Sequence, residues 1–128
     1  MTIIERAVEV LQGFPRVSYE VTPGGVSVPA RDEDGFSVFL VASGERISIW
    51  FDEGWHQEFA GQEQALRCFR QGLSGEVRLR VDSRGDYRHR WTTQVLRDDA
   101  WADVSTTGLL FFPFWRAKRT SYLRNVTG

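Results

Sequence analysis

Two short runs carry arginine at alternating positions, Arg78 and Arg80 in the first and Arg88 and Arg90 in the second. Strand side chains point to opposite faces in turn, so each pair projects from one face. Val77, Leu79 and Val81 share the other face with Tyr87, His89 and Trp91. If Ser83-Arg84-Gly85 forms a three-residue loop, Arg80 stands opposite Arg88 and Arg78 opposite Arg90. Val81 then faces Tyr87, Leu79 faces His89 and Val77 faces Trp91. Like charges directly opposed weaken a strand pair, so four guanidiniums on one face call for anions. Asp99, Asp103 or the acidic N-terminal half would supply them internally, whereas a phosphate-containing ligand, a carboxylate or an acidic protein would supply them from outside. His89, on the apolar side, reads as a core histidine with one ring nitrogen bonded.

A second group, Trp55, His56 and Glu58, lies in a segment read as a loop between a strand and a helix, a place where function often resides. A histidine two residues from a carboxylate can act as an acid-base pair, and an indole beside it can line a pocket. The structural alternative tucks Trp55 and Phe59 into the core and leaves His56 as a loop residue. Two histidines and one cysteine make a metal site hard to assemble, so no metal and no cofactor are expected. Cys68 falls beside the apolar stripe of a helix, where a small buried thiol is ordinary. Gly72-Leu73-Ser74-Gly75 lacks the spacing and the preceding strand of a nucleophile elbow, and Asp32-Glu33-Asp34-Gly35 lacks the flanking helices of a calcium loop. There is no Walker loop, G-x-G-x-x-G, C-x-x-C or H-E-x-x-H.

The elements that must hold these residues follow from periodicity. Thr2-Ile3-Ile4-Glu5 fits a capping box, and Ile4, Ala7, Val8 and Leu11 recur at helical spacing, predicting a helix over 3–12. Val17, Tyr19 and Val21 alternate as in a strand. Pro23-Gly24-Gly25 turns the chain into a strand that Pro29 ends, and residues 36–42 and 46–52 form a hairpin about Ser43-Gly44-Glu45. Ala65, Leu66, Phe69 and Leu73 predict a helix over 61–72, after which Gly72 and Gly75 stop the pattern. Four further strands are expected: 76–81, 87–96, 101–112 and 114–124. The order is α-β4-α-β4. It defines an α+β fold in which a curved antiparallel sheet of about six to eight strands carries both helices on one face, in a single domain over 1–128.

The run 108–115 is apolar on both strand faces, with Leu110 and Phe112 on one side and Leu109 and Phe111 on the other. Two helices cover only one face, so the other is buried either by the sheet curling on itself or by another chain; self-association as a homodimer through Leu110 and Phe112 is the favoured expectation, with Pro113 and Arg116 limiting open-ended strand addition. Residues 1–60 carry a net charge of −6 and residues 61–128 a net charge of +5, which sum to the chain's −1. Fifteen of the sixteen basic residues are arginine, the type suited to bidentate anion contacts. The apolar runs are too short to span a bilayer, the N-terminus does not read as a secretory signal, and a lone Cys68 fits a reducing compartment. A cytoplasmic location with no membrane partner is expected, and Asn125-Val126-Thr127 then matches a glycosylation acceptor by chance.

These features favour a non-enzymatic binding or protein-interaction domain with an arginine-rich sheet face. One alternative is a nucleic-acid-binding sheet on which some of the five tryptophans stack. The other is a small-molecule enzyme or carrier with a cavity at Trp55, His56 and Glu58.

Overall fold

The computed structural model describes residues 2–125. Helix α1 (Ile3–Leu11) starts where expected. The Thr2 hydroxyl accepts the Glu5 N–H at 3.1 Å and the Glu5 carboxylate accepts the Thr2 N–H, so two end donors are satisfied reciprocally. Its Ile3, Ala7 and Leu11 turn inward. A five-stranded antiparallel meander follows in sequence order: β1 (Glu20–Thr22), β2 (Gly25–Val28), β3 (Val38–Ser43), β4 (Arg46–Phe51) and β5 (Trp55–Phe59). Helix α2 (Gln62–Ser74) packs beside α1 on this sheet, burying Ala65, Leu66, Phe69 and Leu73 against the inward residues of β3 and β4. It continues past Gly72, which lies against the Phe51 ring, and stops at Gly75.

The remaining strands, β6 (Val77–Arg84), β7 (Tyr87–Arg97), β8 (Ala100–Gly108) and β9 (Lys118–Arg124), form a second antiparallel sheet in the order β8-β7-β6-β9. Three hairpin-connected strands whose fourth returns beside the first make a Greek key. Its long connection, residues 109–117, crosses from one edge of the sheet to the other past the β6–β7 turn. Leu109 N donates to His89 O at 2.7 Å at one end, and Gly85 N donates to Ala117 O at 2.9 Å at the other.

The α+β class and the antiparallel pairing are as the sequence implies, but nine strands divide between two sheets and the order is α-β5-α-β4. Two expectations are corrected. Residues 55–59 are a strand because Trp55 and Phe59 alternate with polar residues at a sheet edge, a pattern too wet on its outer face to stand out. Residues 109–112 are not strand: β8 ends at Gly108, and the apolar run belongs to the crossover.

Beyond the packing of β5 on β7 and β8, polar contacts tie the second sheet to the first layer in two places. Asp52, in the β4–β5 turn, accepts the Trp91 indole N–H at 3.0 Å and also takes the Arg88 guanidinium. Gly54 lies flat beneath Trp91; a Cβ there would sit 2.1 Å from the ring, so only glycine permits the approach. At the far end of β9, buried Asn125 accepts the Phe36 N–H at 2.9 Å and donates to Gly72 O at 2.8 Å. Arg124 reinforces this clasp by donating its backbone N–H to Asp34 O and its Nε–H to Gly75 O, each at 2.7 Å. Val126 and Thr127 lie outside the described residues.

Asn125→Ala strands a buried donor at Phe36 and a buried acceptor at Gly72, and should cost about 2–4 kcal/mol in urea unfolding. Asn125→Asp, which keeps the acceptor but faces the Gly72 carbonyl with a second oxygen, should not restore it. Wild-type stability in either variant would refute the clasp.

Candidate functional site

The β6–β7 turn is two residues, Gly85-Asp86, with Arg84 paired to Tyr87 and Gly85 at φ +60°. This shortens the loop relative to the three-residue reading. His89 is then inserted as a bulge, so that Ser83 faces Arg88 but Asp82 faces Arg90. The expected register is therefore replaced: Val81 faces Trp91, Arg80 faces Thr92, Leu79 faces Thr93, Arg78 faces Gln94 and Val77 faces Val95. Arg88 shares the Ser83 side and reaches Asp52, whereas Arg78, Arg80 and Arg90 belong to the opposite, outer face. Four arginines do not gather on one face.

Two of the outer arginines are compensated within the sheet. Arg78 donates through Nε and Nη2 to Gln94 Oε1 at 2.9 and 2.7 Å, and Gln94 passes its amide N–H to Asp103 at 2.7 Å. The same guanidinium sits 4.6 Å from the Trp101 ring centre and 4.3 Å from that of Tyr122, held between aromatics of the two edge strands. Arg80 lies 3.6 Å from Asp103 and 3.4 Å from the Thr92 hydroxyl. Arg90 stands opposite buried Asp82, whose carboxylate accepts from Thr120 at 3.0 Å. Asp103, one of the two acids named from sequence, is the internal neutraliser.

The group Trp55, His56 and Glu58 is split by the strand that carries it. Trp55 is 2% exposed and packs at 4.6 Å on Phe51, on the inner face. His56 and Glu58 are on the outer face, where His56 stacks on Trp50 at 4.3 Å and Glu58 pairs with Arg46 at 2.7 Å. They do not border a pocket with Trp55. Cys68 lies beside the core as expected, and burial pushes its thiol up to about 12, so it is protonated and unreactive at neutral pH. Among the described residues no cluster of three His, Cys, Asp or Glu is arranged to hold a metal, and no helix is long and apolar enough to cross a membrane.

The crossover is the feature sequence reasoning placed in a strand. Leu110, Phe111, Phe114 and Trp115 are 91, 86, 70 and 74% exposed, while Phe112 folds back and stacks at 4.1 Å on buried His89. Tyr87, Phe112 and Pro113 border a shallow hollow beside the exposed side chains. Arg84 lies 6.0 Å from the Phe112 ring centre and donates to Arg116 O at 3.5 Å. His89 is a buried histidine as expected, but its Nε2 has no partner.

No family model matches this chain, and no curated protein or solved structure matches it either.

Burial, followed by the Arg90 charge, holds the His89 imidazole below its ordinary value of 6.5. The unfolded chain takes up this proton at a higher pH than the folded one, so stability is full above pH 6.5 and declines as pH falls below it toward the folded value. Unfolding free energy should therefore drop between about pH 7.5 and about pH 5.5, and His89→Gln should remove part of that drop. Identical pH slopes in the two proteins would contradict it.

Proposed function

We propose that this protein is a non-enzymatic interaction domain that self-associates as a homodimer through the crossover at residues 109–117. The observation that carries the reading is the exposure of Leu110, Phe111, Phe114 and Trp115 on one segment whose ends are tied to the second sheet. Exposed apolar clusters of this kind mark interaction sites. The same segment offers projecting side chains and a hollow bordered by Tyr87, Phe112 and Pro113, as a two-fold interface requires of one surface. With Arg78 and Arg80 already partnered, the sheet face is the weaker docking surface, for nucleic acid as for an acidic protein. A free Cys68 suits a reducing, cytoplasmic setting.

Charge opposes this assembly and apolar burial favours it. Each fully buried large apolar side chain contributes roughly 1.5–3 kcal/mol. Each screened contact between surface charges at the rim is worth only about 0.2–1 kcal/mol. Burial wins, and screening the rim by salt should tighten the dimer.

Sedimentation at micromolar concentration should give twice the chain mass, with dissociation weakening as sodium chloride is raised. Phe111→Asp should give a folded monomer, since that side chain is 86% exposed and its loss leaves the core intact. Phe112→Asp is the poorer variant because it also disturbs the stack on His89. A monomer under all conditions overturns the reading. If that monomer binds anionic lipid vesicles, and releases them as salt rises, the crossover serves a bilayer instead.

A further inference from the structure

The pairing of β6 with β9 sets two cations directly opposite two others: Arg78 faces Arg124, and Arg84 faces Lys118. Opposed like charges weaken a strand pair unless something compensates them. The first pair is compensated, because Gln94, the Gly75 carbonyl and the rings of Trp101 and Tyr122 hold its guanidiniums. The second pair is not. Among the described residues neither Arg84 nor Lys118 makes an ion pair, and the Arg84 side chain has one hydrogen bond, the long one to Arg116 O.

A third cation joins them at the β6–β7 turn. Arg116 lies over Gly85, with its Nη1 3.6 Å from the point where a Cβ would stand. The Gly85 N–H donates to Ala117 O, so the chain on either side of Ala117 brings Arg116 and Lys118 to the same turn. The acids close by do not balance this charge. Asp82 is buried and engaged by Thr120, and Asp86 makes no ion pair among the described residues. The field there is positive: buried His89 feels Arg90, Arg84 and Lys118 as cations, against Asp82 alone as an acid.

We infer that Arg84, Arg116 and Lys118 bind the dianionic phosphate of a small phosphate monoester at the β6–β7 turn. Guanidinium offers a fork of donors matched to phosphate oxygens, and the ammonium adds a compact charge. A monoester concentrates close to two negative charges on one group, which suits three cations gathered at one turn. A nucleic-acid backbone spreads single charges along a track and calls for a stripe of cations instead. The site is at the opposite end of β6 from Arg78, and one copy of the chain supplies every group, so it stands apart from self-association.

Lys118 is the only lysine in the chain, which makes it a site-specific probe. Reductive methylation of the full chain with isotope-labelled formaldehyde keeps the charge and gives one ε-dimethylamine resonance to follow by NMR. Near neutral pH and at constant ionic strength, phenyl phosphate should move that resonance saturably at millimolar concentration. Dimethyl phosphate, a singly charged diester, should bind more weakly. Arg116→Gln, at an exposed position, and Arg84→Gln should each weaken phenyl phosphate about tenfold, the loss expected for one hydrogen bond between charged groups. Arg97→Gln, exposed at the far end of β7, should leave it unchanged. No saturable shift with phenyl phosphate would overturn the assignment. So would undiminished binding by Arg116→Gln and Arg84→Gln, or equal affinity for monoester and diester, which would point to a nucleic-acid backbone.

Discussion

One inserted residue, His89, governs the second sheet. A two-residue turn at Gly85-Asp86 sets the ladder, and without the extra residue the β7 pleat would present Arg90 rather than Trp91 to the core. The bulge restores Trp91 to the inner face, over Gly54 and within reach of Asp52, and leaves Arg88 on the same side as that carboxylate. It also turns toward the crossover a ring on which Phe112 stacks and a carbonyl to which Leu109 donates, so the start of the crossover is tied to the same residue. The junction between the sheets and the geometry of the apolar segment thus share one local irregularity.

Around Arg78 and Arg80, the outer face of the second sheet shows how a polar surface can be complete without a ligand. Asp103, Gln94 and Arg78 link β8, β7 and β6 in one chain of hydrogen bonds, and the rings of Trp101 and Tyr122 cover the guanidinium from the two edges. Thr92 is fully buried on this face, where its hydroxyl bonds that of Thr106 at 3.0 Å. Such a face gains specificity of register more than stability, since each exchange with water is nearly balanced. The charge separation along the chain is not erased by pairing: Arg88 with Asp52 is the one ion pair, among the described residues, that joins a first-half acid to a second-half base.

Elements whose signal is local were legible in the sequence. The capping box and the Ile4, Ala7, Leu11 spacing marked α1, and Ala65, Leu66, Phe69 and Leu73 marked α2. Features decided by distant partners were not. Gly85 could close either of two turns, and the choice rests on Trp91 needing Gly54 and Asp52, residues far away in the chain. The run at 109–112 has the composition of a buried strand, and only the return of β9 to the far side of β6 turns it into a crossover. Of the residues singled out at β5, Trp55 alone lines a cavity, because a strand sends His56 and Glu58 to the other face.

The Asn125 clasp has a consequence for how the chain acquires its structure. The groups it satisfies belong to Phe36 and Gly72, which leave the ribosome long before β9 does. Both helices and the first sheet therefore wait, with two inner polar groups open to water, while residues 76–124 are made. Contacts this distant in sequence slow the search for the native state. The first sheet and its helices therefore reach their full set of hydrogen bonds only once residue 125 is in place, so the last strand to be made completes the first layer to be made.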